Sequence, residues 1–113
     1  MSNAAQIALS ALRAFDRKSD VIANNIANVH TDGFKKSRAD LEEASPSGVK
    51  LAVERVNTPG DTVNIGEIEK ETSNVNMEEE WIALIVNRNN YTANLKTVKA
   101  VDEMQGTLFD ILG

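Results

Sequence analysis

The chain has 113 residues, a formal charge of −5 and a pI near 4.8, so it lacks the basic surplus with which nucleic-acid binders neutralise phosphate. It has no cysteine, which excludes a disulfide framework and thiolate chemistry. No apolar run approaches the roughly 18–20 residues of a membrane span, so membrane insertion is not expected.

Residues 4–29 read as one amphipathic helix. Ala8, Leu12, Phe15, Ser19, Ile22, Ile26 and Val29 alternate in steps of four and three, the rhythm of a coiled-coil seam. Ser2 or Asn3 supplies a cap. Alanines at 4, 5, 8, 11 and 14 keep one flank narrow enough for another element to approach closely. Asn24, Asn25 and Asn28 crowd the end of the helix. Asparagine competes for backbone hydrogen bonds and is a mediocre helix former. Such a cluster suits a helix whose polar groups meet partner groups, and Asn24 and Asn28 are candidates for fixing register. Thr31-Asp32-Gly33 closes the helix with a turn in which Gly33 takes a left-handed conformation. Phe34 then anchors the chain.

Lys35-Lys36-Ser37-Arg38 is a short basic run with acidic neighbours and reads as a solvated face. Ala39 to Glu43 has the composition of a further helical turn, ended by Ser45-Pro46-Ser47-Gly48. Val49, Leu51 and Val53 alternate with Lys50, Ala52 and Glu54, the period of a half-buried strand. Asn57 to Asp61 carries a Pro-Gly turn signal, and Thr62 to Ile65 reads as a second strand. The expectation is one β-hairpin, 49–54 against 62–65, leaning on a helix because two strands alone are marginal in water. Gly66 to Ser73 reads as loop or ragged strand.

Asn76 caps a second helix, with Glu79 three residues on as in a capping box and Glu78 to Glu80 at the positive end of the helix dipole. Trp81, Leu84, Arg88, Tyr91, Leu95 and Val98 keep the four-three rhythm. After Val98 the stripe passes to Val101, Met104, Leu108 and Ile111, the step 98 to 101 to 104 being a three-residue slip. Asn90 and Asn94 are the register candidates on this helix. The fold expected is mainly α with a small β insertion. Residues 1–34 and 74–113 form a coiled-coil hairpin of two long terminal helices, and 35–73 form the β-rich insertion.

No residue pattern carries catalysis. His30 is the only histidine, so no metal pair forms. Glu78, Glu79 and Glu80 point in different directions and cannot flank one bond. Phosphate-binding, nucleophile-elbow and dinucleotide motifs do not occur, so no cofactor is expected. A cell-wall hydrolase lacks its catalytic pair.

Ala23 to Asn28, reading Ala-Asn-Asn-Ile-Ala-Asn, followed by Thr31 to Lys35, reading Thr-Asp-Gly-Phe-Lys, resembles the N-terminal signature of bacterial flagellar axial proteins, the basal-body rod and hook family. Asp32 stands where proximal rod members often have Pro, which is similar to the distal-rod and hook type of turn. The C-terminal signature of the family is similar to Glu79-Glu80-Trp81-Ile82 with Leu84-Ile85, then Tyr91-Thr92-Ala93-Asn94, then Asp102-Glu103-Met104 and Leu108. Trp81 replaces a common Met. Asn89 stands where the family often has Arg, and Arg88 is about 100° around the helix from that place.

This resemblance implies a non-enzymatic structural subunit of the periplasmic rod, or of a rod-adjacent axial part of the basal body. It implies passage through the flagellum's own type III export apparatus without a cleaved signal. It also implies packing of the terminal helices against other axial subunits, including further copies of the chain. The interface residues it points to are Leu12, Phe15, Ile22, Ile26, Val29, Trp81, Leu84, Tyr91, Leu95, Val98, Met104 and Leu108. Larger members insert extensive β domains where this chain has residues 35–73. That short middle motivates an alternative: a small soluble factor that binds axial proteins and regulates export or caps growth.

Overall fold

Two long helices carry the fold, and the computed structural model describes residues 3–112 of the chain. Helix α1 spans Asn3–Ala27 and helix α2 spans Met77–Leu112. Between them lie β1 (Ser37–Glu43), β2 (Val49–Arg55), β3 (Thr62–Ile65) and β4 (Ile68–Glu71). The chain is mainly helical with a small β insertion. The expected Ser2 cap falls outside the described residues.

The helices run antiparallel. Asn25, near the end of α1, meets Glu80 at the start of α2, while Ala5 shares a groove with Val98 and Asp102. At 1.5 Å per residue, the 36 residues of α2 reach about 54 Å against about 38 Å for the 25 of α1. The last turns of α2 therefore run past the start of α1, and residues 106–112 are all exposed. The molecule is 79 Å long and 13 Å in its thinnest dimension, too slender for a deep core.

The strand pairing differs from the sequence expectation. β2 does not pair with β3. Instead β1 pairs antiparallel with β2, Leu41 opposite Leu51 and Ala39 opposite Val53, and β3 pairs with β4, Ile65 opposite Ile68. The segment 39–43 is thus strand, not helical turn, and 68–71 is strand, not loop. The turns that close these hairpins are Ala44–Gly48, with Gly48 at φ +97°, and Gly66 at φ +66°. The expected Pro59-Gly60 turn is instead an irregular segment, 56–61, that links the two hairpins. The β1–β2 hairpin leans on α1: Ala39 is buried, and Leu41, Val49 and Leu51 are half-buried on the same face. Ser10 fixes the contact, its Oγ accepting the Val49 N–H at 2.9 Å and donating to the Ile7 carbonyl at 2.6 Å.

The alanine flank explains why both partners fit. Ala5, Ala8, Ala11 and Ala14 are buried with Leu12 and Ile22, so α1 is covered by α2 on one side and by β1–β2 on another. Small side chains let two elements approach one helix closely.

Candidate assembly surface

The seam between the helices is polar where it is deepest. Along α2 the least exposed positions are Glu80, Ala83, Leu84, Asn87, Asn94, Val98, Val101 and Gln105. Glu80, Asn87, Asn94 and Val101 are seven apart, with Leu84 and Val98 between them, so the repeat runs unbroken. The expected stripe lies one position around the helix from this line. Leu84 and Val98 fall on the inner side. Trp81 and Leu95 do not: they are 51% and 49% exposed. Tyr91 sits at the margin. The three-residue slip expected after Val98 is absent from the inner line, because Val101 and Gln105 continue it. On α1, Leu12 and Ile22 are buried and Phe15 and Ile26 half-buried; Val29, expected within the helix, is half-buried in the turn after its end at Ala27.

The asparagines that bridge elements are not the register candidates Asn24, Asn28, Asn90 and Asn94, although Asn25 belongs to the cluster at the end of α1. Asn28 Nδ2 donates to the Asn24 carbonyl at 2.9 Å, and Thr31 Oγ1 donates to Asn28 Oδ1 at 3.0 Å, so this pair closes the end of α1. Asn94 Nδ2 donates to the Asn90 carbonyl within α2. The bridging residues are Asn25, Asn74 and Asn87. Asn25, only 1% exposed, exchanges two hydrogen bonds with the Ser37 backbone and donates to Glu80 Oε2 at 3.3 Å. Asn74 accepts the Lys36 N–H at 2.7 Å and donates to the carbonyls of Val56 and Thr58. Two asparagines thus grip the neighbouring amides of Lys36 and Ser37 and tie β1 to both helices. Asn87 Nδ2 donates to the Phe15 carbonyl and to Ser19 Oγ, both at 2.7 Å, while its Oδ1 is buried with no partner. Heptad counting that admitted Asn would have found two of them, since Asn25 follows Ile22 by three and Asn87 follows Leu84 by three.

The turn after α1 docks the second hairpin. Gly33 takes φ +69°, and its N–H donates to the Glu71 carbonyl at 2.9 Å. The Phe34 carbonyl accepts the Asn74 N–H. Lys35 forms an ion pair with Glu71, Lys36 with Glu79 at 3.7 Å, and Arg38 with Asp40 and Glu54. The basic run is therefore matched by acids of its own chain. Asn76 caps α2, its Oδ1 accepting the Glu79 N–H at 3.1 Å; the Glu79 carboxylate faces Lys36. Lys35 and the Gly60 N–H together hold the Glu71 carboxyl below its ordinary value.

What remains is a large apolar surface with nothing over it. Trp81, Ile82, Ile85 and Val86 line the outer side of α2, the isoleucines at 63% and 57% exposure. Met104, Phe109, Ile111 and Leu112 are more exposed still, and Leu108 is exposed to a similar degree. No helix among the described residues is long and apolar enough to cross a membrane. His30 is exposed in the turn, and no group of His, Cys, Asp or Glu that could hold a metal gathers among the described residues.

Comparison with known proteins matches both ends of the chain. Residues 6–35 match the family described as flagella basal body rod protein, and residues 70–111 match the family described as flagellar basal body rod FlgEFG protein C-terminal. The chain is similar to the flagellar basal-body rod protein FlgG of Bacillus subtilis (strain 168), at 54% identity over 35 residues. That stretch is 31% of this chain and spans only 13% of the length of FlgG. The two matched segments contain the whole of the α1 end and turn and nearly all of α2, in the order the fold requires, and the chain belongs to the flagellar basal-body rod family.

Proposed function

We propose that the chain is a non-enzymatic structural subunit of the flagellar basal-body rod, or of an axial part next to it, and that it assembles through its terminal helices. The observation that carries this reading is the uncovered apolar surface of α2, in two places: Trp81, Ile82, Ile85 and Val86 on its outer side, and Met104, Leu108 and Ile111 on its last turns. Exposed clusters of large apolar side chains of this kind mark a protein–protein contact. Burying them against other axial subunits, including copies of this chain, offsets the entropy of ordering helices that the slender monomer holds weakly. Leu12, Phe15, Ile22, Ile26 and Val29 serve the internal packing that presents this face. The location follows from the role: the rod of the basal body, reached through the flagellar export apparatus.

The test uses positions that the monomer does not need. Leu12 is buried, so an acidic residue there would unfold the chain whatever its role. Trp81→Asp with Ile85→Asp keeps the internal seam intact. Such a chain should be exported but absent from purified basal bodies, and motility should be lost. Basal bodies that contain the double variant in normal amount would refute assembly through this face. A wild-type chain found only as a cytoplasmic pool would instead favour the regulator reading.

A further inference from the structure

We infer that the α2 tail of one copy docks in the groove between α1 and β2 of the next, an inference that rests on the assembly reading and names its contact. The groove, about 270 Å³, is floored by Ala14, Val49 and Leu51 and rimmed by Arg13, Arg17 and Lys50. None of these three cations forms an ion pair within the described chain, although Glu42 stands opposite Lys50 on β1. Free basic side chains around an apolar floor are notable on a chain whose net charge is −5.

The tail is the complement of this groove. Met104, Leu108 and Ile111 form an exposed stripe at spacings of four and three. Glu103 and Asp110, seven apart, lie along one flank of it. No lysine or arginine follows Lys99. Apolar stripe meets apolar floor, and the acidic flank meets the basic rim. Within one molecule the contact is impossible. The helices are antiparallel and residues 106–112 run past the start of α1, away from Arg13 and Arg17. The occupant is therefore a second copy. Tail and groove are different surfaces, so the contact is head-to-tail and repeats without closing, which yields an open-ended filament in place of a closed dimer.

The absence of cysteine makes the test direct, because any disulfide reports an introduced pair. The Leu51→Cys chain is mixed with isotope-labelled Leu108→Cys and oxidised, with Ile65→Cys as the control partner. The mixed 51–108 dimer should dominate over both self-pairs and over the control. Arg13→Glu with Arg17→Glu in the groove copy should lower its yield about tenfold, and raised ionic strength should lower it too. Glu103→Arg with Asp110→Arg in the tail copy should restore it. These side chains are exposed, and circular dichroism checks that each variant stays folded. Yield insensitive to both charge reversals, or 51–51 and 108–108 pairs as frequent as mixed ones, would overturn the contact. Sedimentation of the unmodified chain separates the two readings. Oligomers without 51–108 coupling remove this contact and leave assembly standing; a monomer at every concentration, with no coupling, removes both.

Discussion

The carboxamide of Asn25 pairs with the backbone of Ser37 as one strand pairs with another. Asn25 Nδ2 donates to the Ser37 carbonyl at 2.8 Å, and the Ser37 N–H returns a bond to Oδ1 at 3.0 Å. A helix side chain thereby closes the free end of β1, and the same Nδ2 reaches Glu80 on α2. Asn25→Ala would leave both Ser37 groups part-buried and unpaired, and should destabilise the chain by about 2–4 kcal/mol, read by chemical denaturation. Asn25→Asp should be no better at neutral pH. It keeps the acceptor but faces the Ser37 carbonyl and the Glu80 carboxylate with a charge. A midpoint unchanged in both variants would show that this junction does not hold the three elements together.

The helices were legible because each has a face that repeats every three to four residues and caps that say where it begins or ends. The β insertion was legible in part: β2 and β3 were, but β1, β4 and the pairing were not. Ala39-Asp40-Leu41-Glu42-Glu43 is built from good helix formers, and only its docking on α1 and Asn25 makes it a strand. The Pro59-Gly60 signal falls in the irregular segment that joins the two hairpins and does not close one. The α2 seam was misread by one position because apolar residues alone were counted, and its deepest residues are Glu80 and Asn87. Polar residues at a seam are visible only once the partner's groups are placed. The apolar excess of α2 was legible for a related reason: it carries more apolar residues than one narrow partner helix can cover.

Gly60 is required by closeness, not by backbone conformation. A Cβ built there would lie 2.0 Å from the Thr72 carbonyl oxygen and 2.8 Å from Ser73. Neither is a flexible side-chain tip, so the strand end must move. Gly60→Ala should cost about 2 kcal/mol or more and loosen the β3–β4 hairpin. Faster amide exchange at Thr72, whose N–H donates to the Asp61 carbonyl at 2.7 Å, is the local readout. Wild-type exchange rates there would mean the site relaxes without strain.

Asn87 should behave in the opposite sense. Its buried Oδ1 has no partner, and the Phe15 carbonyl it serves already lies in the ladder of α1. Asn87→Leu removes the orphan atom and adds apolar area at a seam position. It should raise stability by about 1 kcal/mol in thermal or chemical denaturation. A clear loss of stability would show that the bonds to Phe15 and Ser19 outweigh the unpaired oxygen.

Glu71 gives the second hairpin a pH dependence. Its carboxyl is held low first by the Lys35 ammonium and then by the Gly60 N–H. A carboxylate with a lowered folded pKa stabilises above its ordinary range, and that contribution fades as pH falls through the lowered value. Acidification should therefore release β3–β4 from the turn. The Gly33 amide, bonded to the Glu71 carbonyl, should lose protection against exchange, relative to its intrinsic rate, as pH falls. Glu71→Gln should flatten that response; a response that persists in this variant assigns it to another group.

Trp81 is the only tryptophan in the chain, and half of it faces solvent. Its emission is therefore a direct reporter of whether the outer face of α2 becomes covered. In dilute solution it should emit as a partly hydrated indole. As copies associate, the emission should move to shorter wavelength. Ile82 and Ile85 flank it and are more exposed than Trp81 itself, so Ile82→Ser with Ile85→Ser should leave the denaturation midpoint within about 0.5 kcal/mol of wild type. The same variant should lose the concentration-dependent shift, because it removes apolar area that only a neighbour buries. Equal loss of stability and of the shift would instead place these isoleucines in the monomer's own packing. A shift that survives the double variant would place the subunit contact on another face.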